Sequence, residues 1–128
     1  MRNDIAQRIR LSKRRFLSHQ NCFGTALFVL GLKDEEREVE WDHTFWGHGQ
    51  LYDIIMSLKK AGEPIDGGLI LFRNEKRIGH MGVIIEVSPV EIFHRPCYYS
   101  TSERKLLSII EGTYVKDYSI VEYYFRKN

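Results

Sequence analysis

Apolar positions change period along this chain, and the change predicts its layout. Over residues 4–17, Ile5, Ile9, Ser12/Lys13 and Phe16 recur at spacings near one helical turn among basic side chains, which predicts an amphipathic helix. Residues 22–30 read Cys-Phe-Gly-Thr-Ala-Leu-Phe-Val-Leu. A helix apolar on every side belongs in a core, and Gly31 offers it a C-terminal stop. Residues 33–49 lose periodicity, first charged and then aromatic (Trp41, Phe45, Trp46), and read as a long loop. Helical spacing returns over 50–61 through Leu51, Ile54, Ile55 and Leu58, ended by Gly62 and Pro64.

Strand patterns follow. Leu69 to Phe72, His80 to Val87 and Glu91 to His94 are short apolar or β-branched runs separated by turn residues. Ser102 is placed to cap a short helix over 103–110, and Tyr118 to Phe125 alternates as a last strand. Its two faces are Ile120, Glu122, Tyr124 and Val121, Tyr123, Phe125. Helices first and a meander afterwards define an α+β domain, with N-terminal helices packed on an antiparallel β-sheet.

Composition narrows the class without choosing the chemistry. A chain of 128 residues, 43% hydrophobic and 28% charged, is expected to form one domain over 1–128 with a real core. The net charge of +2 does not argue for a polyanionic partner such as nucleic acid. Its distribution is uneven, with a basic stretch over 1–15 and an acidic one over 34–42, two faces able to pair with each other or to leave a basic arm. Two cysteines, Cys22 and Cys97, make no disulfide framework, and Cys97 reads as structural. No run approaches the roughly 20 apolar residues of a membrane span. No apolar signal-peptide core follows the N-terminal charges, so a cytoplasmic location, or export without a Sec signal, is expected.

The candidate chemistry starts at Cys22. A thiol in the first turn of a buried helix sits among free N–H groups that favour its anion. A polar lead-in, Ser18-His19-Gln20-Asn21, precedes it, and Gly24 is expected to keep its surroundings uncrowded. A thiol of ordinary pKa is only a few per cent ionised at pH 7, so a nearby base is required. His80 heads an apolar strand, with Gly82 beside it on the same face. His94 lies 14 residues further. A hairpin closing around residue 87 puts the two imidazoles directly opposite, and a shift at Ser88-Pro89 makes them diagonal neighbours. His94 would then fix the tautomer of His80 and leave its other nitrogen for the thiol. Asp42-His43 with His48 does not match zinc-ligand spacing, so no metal and no cofactor are expected. The tryptophans beside them are read as a cleft rim or a loop anchored in the core.

Taken in order, Asn21-Cys22-Phe23-Gly24, Gly67-Gly68-Leu69-Ile70-Leu71-Phe72, Gly79-His80-Met81-Gly82-Val83-Ile84-Ile85 and Ile92-Phe93-His94 resemble the papain-like NlpC family of cysteine peptidases and the related CHAP amidases. The resemblance covers roughly residues 20–95. Asn21 and Phe23 stand where that family usually has Asp and Ser, and the first tyrosine is Tyr52. The resemblance implies a papain-like fold and a cysteine hydrolase cleaving an amide bond, in a peptidoglycan-type or other peptide. Its triad would be Cys22, His80 and His94. An oxyanion hole would be built from the Cys22 N–H and a second donor, for which Gln20 is the candidate. Deamidation or acyl transfer on the same scaffold is the near alternative. A non-catalytic module binding through the basic first helix is the alternative from another class.

Overall fold

The computed structural model describes residues 3–14, 21–96 and 101–127. Within them the chain forms helices α1 (Asn3–Arg14), α2 (Cys22–Val29), α3 (Gln50–Met56) and α4 (Leu107–Tyr114). The strands are β1 (Lys59–Ala61), β2 (Leu69–Arg73), β3 (Ile78–Val87), β4 (Val90–His94), β5 (Glu103–Leu106) and β6 (Ile120–Phe125). They make a six-stranded antiparallel sheet of order β1-β6-β2-β3-β4-β5. The class is α+β as expected. Only β2 to β5 form a meander, because β6 returns to lie between β1 and β2.

The apolar segment folds as the central helix. Every residue of α2 is buried, and it packs with Leu69, Leu71, Met81, Val83 and Phe93 on one face of the sheet. Burying a side chain such as Leu27 stabilises by roughly 1.5–3 kcal/mol. Asn21 starts the helix by accepting the Gly24 N–H on Oδ1 at 3.0 Å, and Gly31 ends it at φ 77°. The other face holds Ile70, Phe72, Ile84 and Ile92 beneath Leu107 and Ile110 of α4. Strand alternation thus divides the core into an α2 layer and an α4 layer. Both predicted faces of the last strand are used: Tyr124 joins the α2 layer, and Val121 and Tyr123 pack against the α4 layer.

Four elements differ from the sequence reading. The third helix ends at Met56, and Lys59–Ala61 is an edge strand paired with Tyr123–Phe125. Residues 103–106 form β5 and the helix starts only at Leu107. Ser102 does not cap it, since its Oγ lies 3.1 Å from Ser12 Oγ in a buried polar cluster. Pairing of Glu91–His94 with Glu103–Leu106 outweighs the capping signal there. Gly24, in turn, makes room for backbone, because a Cβ there would sit 2.0 Å from the Arg37 carbonyl oxygen.

The acidic stretch and the first helix do meet. Ser12 Oγ donates to Glu36 Oε2 at 2.7 Å, and Thr25 Oγ1 donates to the same oxygen at 2.6 Å. Arg95 Nη2 completes this buried site at 2.9 Å, while its Nε donates to Thr25 Oγ1 at 2.9 Å. Arg8 Nη1 caps the Phe28 and Lys33 carbonyls, 2.9 Å from each, and holds the loop down. No helix among the described residues is long and apolar enough to cross a membrane.

Candidate active site

The loop that follows α2 folds back over its start. Asn21 Nδ2 donates to the Val39 carbonyl at 2.7 Å, and the Val39 N–H donates to Asn21 Oδ1 at 3.3 Å. An aspartate there would cap the helix but has no N–H for Val39, which gives the amide a local reason. This pinning shapes a cleft of about 530 Å³, lined by Asn21, Cys22, Phe23, Glu38, Val39, Glu40, Trp41 and Gly79. Trp41 is half exposed on its rim, and Arg77 stacks between it and Phe45, 4.5 and 4.1 Å from the two rings. Trp46 packs instead against the core and carries the Arg73 guanidinium 3.9 Å over its ring. The two tryptophans therefore divide the two roles that the sequence left open.

Cys22 sits at the floor of the cleft, 8% exposed. Burial pushes its thiol up to about 12, although the N–H groups of Met81, Phe23 and Cys22 itself point at the sulfur and partly offset that push. The resting group is a neutral thiol.

His80 and His94 are brought together. Val83 pairs with Phe93 across the β3–β4 hairpin, so His94 falls level with Gly82 and the imidazoles are diagonal neighbours. Gly82 is needed there for packing, because a Cβ would lie 2.5 Å from Ile92 Cγ2. His80 Nε2 and His94 Nδ1 are 2.8 Å apart with their rings nearly perpendicular. The ring of Tyr114, from α4, stacks on His80 at 3.8 Å. Burial holds His80 well below the usual histidine range, and the neighbouring His94 adds to the effect. His94 is lowered too, chiefly by burial, while Glu103 opposes the shift.

Thiol and imidazole approach one end of β3 from its two sides. The sulfur lies against the Met81 N–H on the α2 side, whereas the His80 side chain leaves the strand on the α4 side, against Tyr114 and Phe72. Among the described residues, no hydrogen bond joins Cys22 to either histidine. Gln20 and Cys97 lie outside the described residues. Of the groups with ring or backbone contacts here, the Met81 N–H, Tyr114 and Glu103 were not legible as site components. The first is a backbone group, Glu103 lies on a strand where the sequence reading placed a helix, and Tyr114 lies beyond the end of that helix as read.

The residues weighed for metal binding are only partly assembled. Glu40, Asp42 and His43 present ligand atoms within 4.8 Å of one another, all exposed, whereas His48 stacks on Phe45 instead. No family model, curated protein or solved structure matches this chain.

Proposed function

We propose that the protein is a cysteine hydrolase acting on an amide bond of a peptide, with Cys22 as nucleophile, His80 as base and His94 as its orienter. One observation carries the reading. The strand end that presents Gly79 to the cleft and the Met81 N–H to the sulfur also carries His80, hydrogen-bonded through Nε2 to His94. With Nε2 engaged, Nδ1 is the ring nitrogen left for proton transfer. The thiol proton must reach it around the end of β3, since the His80 side chain lies on the α4 side of the strand and the sulfur on the α2 side.

Both groups rest neutral, so the proton moves during attack and not before it. The sulfur bonds to the carbonyl carbon as its proton passes to His80. The C–N bond then breaks as His80 returns that proton to the departing amine. Water, deprotonated by the same imidazole, attacks the thioester and releases the acid with the thiol restored. The Cys22 and Met81 N–H groups are the donors for the carbonyl oxygen as it gains charge. Acyl transfer follows the same course with an amine in place of water, and deamidation follows it when the amide belongs to a side chain.

A second reading is favoured by the depth of the thiol and its missing hydrogen bond to His80: a binding module that uses the cleft without catalysis. A random peptide library separates the two when new N-termini and deamidated side chains are followed by mass spectrometry. Products made by the wild type and lost in Cys22→Ala support the hydrolase. Identical product profiles for both proteins refute it. A basic arm is tested alongside by gel shift with random duplex and single-stranded nucleic acid, where a binding module predicts retention that falls steeply with salt.

A further inference from the structure

His94 Nε2 is buried with no hydrogen-bond partner among the described residues, and Glu103 Oε1 lies 3.3 Å from it. The two residues are paired in register across β4 and β5. A carboxylate therefore stands beside the one nitrogen of His94 that His80 does not use. Lys105 Nζ, 3.4 Å from the same oxygen, shares the carboxylate.

We infer that Glu103 is the outer positioning residue of the site, fixing the tautomer of both histidines. The inference rests on the hydrolase reading for its purpose, though not for its geometry. An ionised carboxylate only accepts, so the proton of His94 is held on Nε2. His94 Nδ1 is then bare and accepts from His80 Nε2–H across the 2.8 Å contact. His80 Nδ1 is bare in consequence, which is the form a general base requires. Reversing the outer proton reverses the chain: with His94 protonated on Nδ1, His80 Nε2 accepts, Nδ1 carries the hydrogen, and no base is left for the thiol. When His80 takes up the thiol proton, the new positive charge lies one imidazole away from the Glu103 carboxylate. The groups facing this pair are Lys105 on β5, Tyr114 on α4 and His80 on β3. Glu103 touches neither substrate nor thiol, so its effect passes through His94.

The test is nitrogen-15 NMR of the imidazole rings at pH 7.5 in the wild type, Glu103→Ala and Glu103→Asp. The wild type is expected to carry its protons on Nε2 of both His80 and His94. Glu103→Ala is expected to give a mixture of tautomers, and Glu103→Asp to restore the wild-type pattern in part. A proton on His94 Nδ1 in the wild type overturns the inference, as does an unchanged pattern in Glu103→Ala. In the same samples, labelling of Cys22 by a peptidyl vinyl sulfone should slow about tenfold in Glu103→Ala, a loss comparable to removing an outer partner elsewhere. If the tautomers behave as expected while Cys22 is unreactive in the wild type, the relay stands and the hydrolase reading fails.

Discussion

The Met81 N–H points at the buried sulfur of Cys22, and this places the thiol one residue away from His80 along β3. The same N–H favours an anion on the sulfur. Burial overrides it at rest, which is why the thiol is pushed up to about 12.

A titration follows directly. Absorbance at 240 nm, wild type minus Cys22→Ser, should show no thiolate step between pH 5 and 9. A step below pH 8 would mean that thiol and imidazole form an ion pair before substrate arrives, contrary to the neutral resting state.

Stability should fall on mild acidification. The buried imidazoles have folded pKa values below their unfolded value of about 6.5, so below that pH the unfolded chain binds more protons. Their contribution is full above about pH 6.5 and is lost as pH drops below it. The urea midpoint should decrease from pH 7.5 to 5.5, and less so in His80→Asn. An equal decrease in both proteins would contradict the assignment. Glu122 acts in a lower window. Arg73, Lys60 and Tyr124 hydrogen-bond it and hold it at about 2, against the push of burial, so its contribution disappears between about pH 4.5 and 2.

The sequence carried most of the fold and the histidine pair, for identifiable reasons. The apolar run from Cys22 to Leu30 admits only a buried helix, and the β-branched run before Val87 admits only a strand. Their order fixes the α+β class. The β3–β4 register could not be read from the turn residues alone, since an irregularity between Ile84 and Glu86 brings His94 level with Gly82 and so makes the imidazoles diagonal rather than opposite. Residues 103–106 were misread because Ser102 looks like a helix cap. Its hydroxyl contacts Ser12, 90 positions away, a pairing no local pattern records. The role of Gly24 was also not local, since Arg37 needs its missing side chain.

Glu36→Gln should destabilise the protein by about 3–5 kcal/mol, because it removes the carboxylate charge from buried Arg95. Ser12, Thr25 and Arg95 all converge on one of its oxygens, so the loss should spread to the contact between α1 and α2. Urea denaturation at pH 7.5 checks this, and an unchanged midpoint would show that the cluster is not coupled to folding.

Gly24→Ala should cost about 1–3 kcal/mol, as overpacking in a close-packed core does. The added methyl displaces the Arg37–Glu38 backbone, and with it the Glu38–Trp41 side of the cleft. Thermal unfolding reads the first effect and the iodoacetamide rate at Cys22 reads the second. A variant as stable as wild type, with unchanged alkylation, would contradict the close approach.

The most direct measurement is the rate at which a peptidyl vinyl sulfone labels Cys22 at pH 7, resolved from Cys97 by peptide mass, in wild type and His80→Ala. If the imidazole takes the thiol proton, the variant should react at least about 100-fold more slowly, the lower end of the range of general-base assistance. Equal rates in the two proteins would mean that His80 does not serve the sulfur, and the hydrolase account would fall.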